Sequence, residues 1–267
     1  MEHITSTRNP QLQEMRRLHK KTHREASGFC LVEGIQPCLR AIENGLHVEF
    51  LIYAPELLKS PLALMQIADL QRRRIKVLTA SKEAFTTISE RDNPVGLALV
   101  AKAKPLDLGK ITVGKLSILT ALFNIKNPGN LGTIVRTADS IGGSGVILVG
   151  QTADPYDPTC IKASMGTVFS VPLARVATEE GFLAWCHDRQ VALITTSAQA
   201  TMDLANAKFD YPCAVLMGSE GPGLPLDILT GGHWAVRIPM YGQANSLNLA
   251  VATGIILYEV RRQLGQN

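Results

Sequence analysis

Three blocks of glycine and uncharged polar residues hold the side chains that could do chemistry in this 267-residue chain. They are NPGNLGTIVR, GSEGPGLP and IPMYGQANSLNLA, at residues 127–136, 218–225 and 238–250. Each block follows an apolar run, SILTALF, CAVLM and WAVRI respectively, at a point where a strand should give way to a helix. Ligands of α/β proteins bind at this point, outside the carboxyl ends of the strands. The blocks therefore predict one pocket built from three strand ends.

Several familiar chemistries do not fit these blocks. No predicted strand end has GxGxxG or GxxxxGK[ST], so neither a dinucleotide fingerprint nor a phosphate loop is supported. Ser219 in GSEG is not the GxSxG nucleophile elbow, and every histidine lies outside the three blocks. No acidic cluster or His/Asp constellation suggests a metal, so we expect metal-free chemistry.

The blocks, their order and their place near the C-terminus resemble the three motifs of the SpoU (TrmH) family of RNA 2'-O-ribose methyltransferases, of the SPOUT class. The resemblance covers roughly residues 111–267. The preceding part, with FCLVEG at 29–34 and NPVGLAL at 93–99, looks like the ribosomal-protein-like (L30e-like) substrate domain joined to many of these enzymes. The resemblance implies S-adenosylmethionine as methyl donor and RNA as substrate.

The same resemblance implies catalytic positions, residue by residue. Asn130 and Arg136 match the first motif, Glu220 the second, and Ser246 and Asn248 the third. The family's arginine has been assigned as a general base, although a guanidinium is effectively always protonated. We expect Arg136 to anchor a phosphate and the ribose alkoxide first, because a fixed cation favours the ionised hydroxyl. Glu220 would either cap the helix that follows it or hold Arg136.

Contacts to the methyl donor are implied for the backbone of the three motif loops. The matching positions are Gly218, Ile238 and Leu247, with Met240 and Thr196 nearby. A glycine at 218 suits a backbone that approaches a ligand closely. Core packing explains Ile238 and Leu247 equally well.

Two alternatives to a ribosomal RNA enzyme stay open. One is a transfer RNA 2'-O-methyltransferase, although the family's transfer RNA enzymes generally lack the N-terminal domain. The other is a noncatalytic RNA-binding protein on the same scaffold. Such a binder should have lost some of the catalytic set, and all five positions are filled.

Basic charge is concentrated in the N-terminal part. Residues 1–105 contain 16 Lys and Arg against 11 Asp and Glu, a net of +5, whereas residues 106–267 contain 11 against 12, a net of −1. A polyanion would be bound where the surplus lies. The densest runs, RRLHKKTHR at 16–24 and RRRIK at 72–76, would be solvated helix faces if they stood alone. The expected RNA contacts are Arg16, Arg17, Lys20, Lys21 and Arg24.

The pattern of elements predicts two α/β domains. Residues 1–105 would form an RNA substrate-binding α/β sandwich, and residues 106–267 the methyltransferase domain, with a linker in AKAKPLDLGK at 101–110. Strands separated by helices in the second domain predict a parallel sheet covered on both faces, including a strand at 168–172. The resemblance implies a deep trefoil knot in that domain.

The last helix, expected at about 246–263, is apolar on more than one side. Its two stripes are Leu247, Val251, Gly254 and Tyr258, and Leu249, Ala252, Ile256 and Val260. Both stripes would be buried if the helix lay between its own sheet and a second subunit. The resembling family forms homodimers, and a central core helix in a monomer is the alternative.

The compartment expected is the cytosol. No charged-then-apolar signal pattern opens the chain, and the longest apolar stretch is too short to span a bilayer. The five cysteines are an odd number with no CxxC pair, which is typical of reduced structural thiols.

Overall fold

The computed structural model describes residues 2–265, and their contacts divide the chain into two compact units. The first unit contains the residues up to Lys104 together with Asp154–Ser170. The second unit contains Pro105–Ala153 and the chain from Val171 onward. The sequence predicted a single boundary after residue 105, so the return of Asp154–Ser170 to the first unit is new. The roles of the two units, RNA binding and methyl transfer, stay predictions.

The first unit is an α/β sandwich around a five-stranded mixed sheet. Its elements are β1 (His3–Ile4), α1 (Pro10–Arg17), α2 (Lys21–Ser27), β2 (Phe29–Glu33), α3 (Ile35–Glu43), β3 (Val48–Tyr53), α4 (Pro61–Arg72), β4 (Lys76–Ala80), α5 (Lys82–Thr86) and β5 (Leu97–Lys102). The strand order is β1-β4-β3-β5-β2. Because side chains alternate along a strand, Leu31, Ile52 and Leu78 share one face and pack with Leu12 of α1 and Phe85 of α5. Helices α3 and α4 pack on the sheet outside this cluster.

The second unit is built on seven parallel strands. Its elements are β6 (Ile118–Phe123), α6 (Pro128–Ser140), β7 (Gly145–Val149), β8 (Leu173–Val176), α8 (Glu179–Asp188), β9 (Ala192–Thr196), β10 (Met202–Asp203), β11 (Cys213–Met217), α9 (Leu226–Thr230), β12 (Trp234–Arg237) and α10 (Leu249–Leu264). The intervening α7 (Pro158–Ala163) belongs to the first unit. The order β10-β12-β9-β11-β6-β7-β8 makes β12, β9, β11 and β6 direct neighbours. Since all are parallel, their carboxyl ends lie at one edge of the sheet.

The predicted parallel sheet is confirmed, with one strand misplaced. Residues 168–172 were expected as a strand, but Thr167–Phe169 is a turn of 3₁₀ helix and the strand is β8. The Thr167 hydroxyl donates to the Ser164 carbonyl, and Phe169 is buried in the first unit. The predicted strand at 168–172 therefore spans the boundary between the two units, which lies after Ser170. The periodicity of apolar residues does not reveal such a boundary. The trefoil knot stays a prediction.

A buried arginine holds the returning segment in the first unit. The Arg24 side chain, 3% exposed, donates from Nε to Asp154 at 2.7 Å and from Nη2 to Asp157 at 3.0 Å. Its Nη1 donates to the carbonyls of Leu18 and His19. The prediction that Arg24 contacts RNA is therefore wrong, because the guanidinium is enclosed and its donors are already used.

Replacing Arg24 by Met is expected to lower the free energy of unfolding by about 3 kcal/mol, because two partly buried carboxylates lose their cation. Urea denaturation followed by circular dichroism measures it. Arg17→Met, at an exposed position on α1, is the matched control and should change stability by less than about 0.5 kcal/mol. Equal stability of the two variants would contradict the structural role of Arg24.

The cysteines are buried in the fold and have no disulfide partner. All five cysteines are free and buried. Burial raises the pKa of Cys30, Cys186 and Cys213 to about 12, so these thiols are protonated at neutral pH and unreactive. Within residues 2–265, no helix has the length and apolar character to cross a membrane.

Candidate active site

Asparagine side chains fix the loop that carries the first block. Asn127 begins α6, and its Oδ1 accepts from the amides of Gly129 at 2.8 Å and Asn130 at 3.0 Å. Pro128 follows at the first helical position, where its missing N–H costs nothing. The sequence interpretation overlooked Asn127, although Asn-Pro after a strand is a recognised helix start.

The same loop is also tied to the end of β7. Asn124 follows β6 with a φ of 53°, and its Oδ1 accepts from the Gln151 amide at 2.8 Å. The Ile125 carbonyl accepts from the Ala153 amide at 2.7 Å. The backbone that presents the first block is therefore held on both sides.

One hydrogen-bonded chain of side chains joins all three blocks. Asn130 donates from Nδ2 to Glu220 Oε1 at 3.0 Å, and Asn248 donates from Nδ2 to Asn130 Oδ1 at 3.2 Å. Asn248 Oδ1 in turn accepts from the Ala250 amide at 2.9 Å and caps α10. We call Glu220, Asn130 and Asn248 the polar network. The structure thus brings together three of the five expected catalytic residues.

Glu220 is the charged end of the polar network. Burial raises its pKa, but hydrogen bonds from Asn130 and from the backbone amides of Glu220, Lys126 and Asn127 outweigh burial and hold the pKa below its usual value. The ionised carboxylate accepts only, so it fixes Asn130 as the donor. Within one chain neither role expected for Glu220 is seen: α9 has no side-chain cap, and the carboxylate accepts from the first-block loop rather than from Arg136.

Arg136 and Ser246 take no part in the polar network. Arg136 follows Asn130 by six residues in α6, which places it about 9 Å further along the helix and on a different face. Both side chains are exposed. Among residues 2–265, no hydrogen bond or ion pair of either side chain is found. A single chain therefore presents Arg136 and Ser246 to solvent.

The positions expected to bind the methyl donor lie at three neighbouring strand ends. Thr196 ends β9, Gly218 follows β11 and Ile238 follows β12. The Thr196 hydroxyl donates to the Leu216 carbonyl at 3.0 Å. Ile238 is half-buried, whereas Met240 and Leu247 are 36% and 37% exposed.

Gly218 is a glycine for a reason other than the one expected. A Cβ at this position would lie 2.3 Å from the Gly223 carbonyl carbon and 2.5 Å from the Leu224 nitrogen. The second block folds back on itself here, with Gly221 and Gly223 both at positive φ. The loop's own backbone therefore excludes a side chain at 218 even without a ligand.

The loop between β12 and α10 offers unpaired backbone groups. In the described part of the chain, residues 239–247 make no hydrogen bond through backbone or side chain. Ile238 and Leu247 stand at the two ends of this stretch, and neither side chain is fully buried. Apolar walls with a few polar groups are typical of small-molecule sites, so this edge fits the adenosine part of S-adenosylmethionine.

The described residues contain no group of three or more His, Cys, Asp or Glu side chains that could hold a metal ion.

Residues 117–258 match the profile of the SpoU rRNA Methylase family, and residues 9–99 match that of the MRM3-like substrate binding domain. The chain belongs to the SpoU rRNA methylase family. All three blocks lie within the residues that match this family.

Relatives of the SpoU family match the chain over nearly its whole length. The 23S rRNA (uridine(2479)-2'-O)-methyltransferase of Streptomyces viridochromogenes is 33% identical over 97% of this chain and 92% of its own. The 23S rRNA (guanosine(2553)-2'-O)-methyltransferase RlmP of Bacillus subtilis is 28% identical over 98% and 100%. The structure of an AdoMet-bound rRNA methyltransferase from Sinorhizobium meliloti is 35% identical, with a TM-score of 0.88 over 98% of this chain and 97% of that one.

Proposed function

We propose that this protein transfers the methyl group of S-adenosylmethionine to the ribose 2'-hydroxyl of a nucleotide in large-subunit ribosomal RNA, in the cytoplasm. The observation that carries the proposal is the polar network, which joins the three family motifs at the carboxyl edge of the sheet. Two relatives that match both units are named for 23S rRNA, which favours ribosomal over transfer RNA. An intact network also argues against a binder that has lost catalysis.

The residues of this chain divide the work between holding and chemistry. S-adenosylmethionine supplies an electrophilic methyl group on a sulfonium, and alignment of the attacking oxygen provides most of the rate. Gly218, Ile238 and Leu247 mark the loops that would hold the donor, with Thr196 and Met240 beside them. The hydrogen bonds of the polar network fix the positions of the motif loops relative to one another.

Arg136 then supplies the positive charge at the reacting oxygen. It anchors a substrate phosphate and stabilises the negative charge on the ribose oxygen while the hydroxyl proton passes to water. As the O–CH₃ bond forms, the S–CH₃ bond of the donor breaks, and the sulfonium would leave as the neutral thioether S-adenosylhomocysteine. Ser246 stands with Leu247 in the loop between β12 and α10 and is proposed to orient Arg136. Neither side chain meets the polar network within one chain, so a second chain is needed to assemble the site.

The outer face of α10 supports a homodimer. Ile256 and Val260 of one predicted stripe are buried in their own chain, whereas Val251 and Tyr258 of the other stripe are 52% and 68% exposed. Val251, Tyr258 and Ile255 line an apolar groove of about 570 Å³ with residues that include Leu204, Ile238 and Pro239. Gly254 in this groove lies 3.8 Å, measured from an added Cβ, from Thr137, the neighbour of Arg136. If a second copy packed on this face, Arg136 of one copy would lie beside the loop between β12 and α10 of the other.

Light scattering is expected to give roughly twice the 28.9 kDa chain mass. Val251→Asp should give a monomer without transfer activity, because a charge would be desolvated in the interface. Leu226→Asp, at an exposed position on α9, is the matched control and should leave the dimer intact. A stable monomer of the unsubstituted chain at micromolar concentration would contradict the shared site.

Fewer basic side chains of the first unit are available to bind RNA than the sequence predicted. Arg16 donates to the Thr87 hydroxyl at 2.8 Å and to the Thr7 carbonyl at 2.9 Å, so its guanidinium holds the fold of the unit. With Arg24 buried, the proposed contacts are the exposed Arg17, Lys20 and Lys21. Substitution tests them better than deletion of residues 1–105, which would also strip the packing partners of Asp154–Ser170.

The substrate is identified by comparing RNA from a deletion strain with that of its parent. Mapping of 2'-O-methyl groups should show the loss of a methyl group from 23S rRNA. A loss confined to transfer RNA would contradict the ribosomal assignment and support the transfer RNA alternative.

A further inference from the structure

Lys126 is an exposed cation on a fixed stretch of backbone beside the polar network. Its amide donates to Glu220 Oε2 at 3.4 Å, and the carbonyl of the preceding residue, Ile125, is held by the Ala153 amide. The following residue, Asn127, caps α6. Within residues 2–265, its ammonium has no recorded hydrogen bond or ion pair. The side chain is therefore available to a ligand, and hydrogen bonds hold the backbone that carries it.

The charge around the polar network calls for such a cation. Glu220 is ionised and belongs to residues 106–267, which have no surplus of positive charge, so this carboxylate would repel an RNA phosphate placed beside it. Arg237, at the end of β12, is already paired with Asp203 at 2.6 Å. The two cations of the first-block region without a partner in the described chain are Lys126 and Arg136.

We propose that Lys126 binds a backbone phosphate of the target nucleotide or its neighbour and offsets the charge of Glu220. A lysine suits this role because its ammonium acts as a compact point charge toward phosphate. Lys126 takes no part in proton transfer; it holds the substrate while Arg136 faces the reacting oxygen. The inference rests on the proposed function, and it adds a substrate-binding residue that the three motifs do not contain.

The test compares Lys126→Gln with Lys126→Arg in the full chain, using an unmodified transcript of 23S rRNA as the probe. Lys126→Gln should raise KM for the transcript by about 5- to 20-fold and leave kcat within about 2-fold, because it removes ground-state binding. The slope of log affinity against log salt should fall by about 0.7 to 0.9. Lys126→Arg keeps the charge and should restore both values.

Lys115→Gln is the matched control, since Lys115 is an exposed lysine just before β6, at the opposite edge of the same sheet. It should leave KM and the salt slope unchanged. An unchanged salt slope for Lys126→Gln, or a parallel loss of S-adenosylmethionine affinity, would overturn the proposal. A transcript that binds with a Lys126-dependent slope but is never methylated would contradict the proposed function and leave the role of Lys126 standing.

Discussion

Arg136→Ala is expected to lower kcat by about 10²- to 10³-fold, because the charge that stabilises the developing alkoxide is removed. Stability and S-adenosylmethionine affinity should stay unchanged. The side chain is exposed and makes no recorded hydrogen bond within residues 2–265, so its loss breaks no contact of the fold. Single-turnover methyl transfer, calorimetric titration with the donor and urea denaturation measure the three quantities.

A lysine at the same position separates charge from shape. Lys keeps the positive charge but loses the planar fork that binds two oxygens at once. We expect Arg136→Lys to recover only part of the lost rate, and near-normal activity would mean that point charge alone suffices. Lys208→Ala, an exposed cation elsewhere in the second unit, serves as control. Full transfer by Arg136→Ala would show that the catalytic assignment is wrong.

Asn130→Asp is expected to lower kcat/KM by about 10²-fold, and adding Glu220→Gln should restore most of it. The single change sets a carboxylate against Glu220, where Asn130 now donates over 3.0 Å, and like charges at this distance repel. In the double variant the glutamine introduced at position 220 would donate from its side-chain amide to the new carboxylate, and its carbonyl oxygen would accept from the Lys126 amide. The Asn248 donor still finds an oxygen at position 130.

The rescue is specific to the direction of the hydrogen bonds. Glu220→Gln alone has one oxygen for two donors, the Asn130 side chain and the Lys126 amide, so one donor loses its partner. A double-mutant cycle of kcat/KM and of donor affinity measures the coupling. Additive losses in the double variant would show that Asn130 and Glu220 act separately and that the polar network does not position the loops.

The place of the site could be predicted from the sequence, because each block follows an apolar run. Gly218 and Ile238 do follow parallel strands of one sheet, as the runs CAVLM and WAVRI predicted, and Thr196 ends the strand between them. The partners of Glu220 could not be predicted in the same way. They depend on how a loop with Gly221 and Gly223 at positive φ folds back toward the first block.

The residues that contact RNA were harder to predict, because a basic run does not reveal which of its side chains are buried. Arg24 and Lys20 stand in the same run, yet Arg24 is enclosed by carboxylates from a segment more than a hundred residues later, while Lys20 is exposed. Sequence separation of this size hides the contact from any local pattern. For the same reason the return of Asp154–Ser170 to the first unit went unseen.

The central claim is tested most directly by incubating the purified full chain with methyl-labelled S-adenosylmethionine, an unmodified 23S rRNA transcript and a metal chelator. The label is expected in a single 2'-O-methylated nucleoside, next to a phosphodiester bond that resists alkaline hydrolysis. Arg136→Ala should incorporate almost none. Label on a base, or no incorporation into RNA by the unsubstituted chain until a divalent ion is returned, would contradict metal-free ribose methylation.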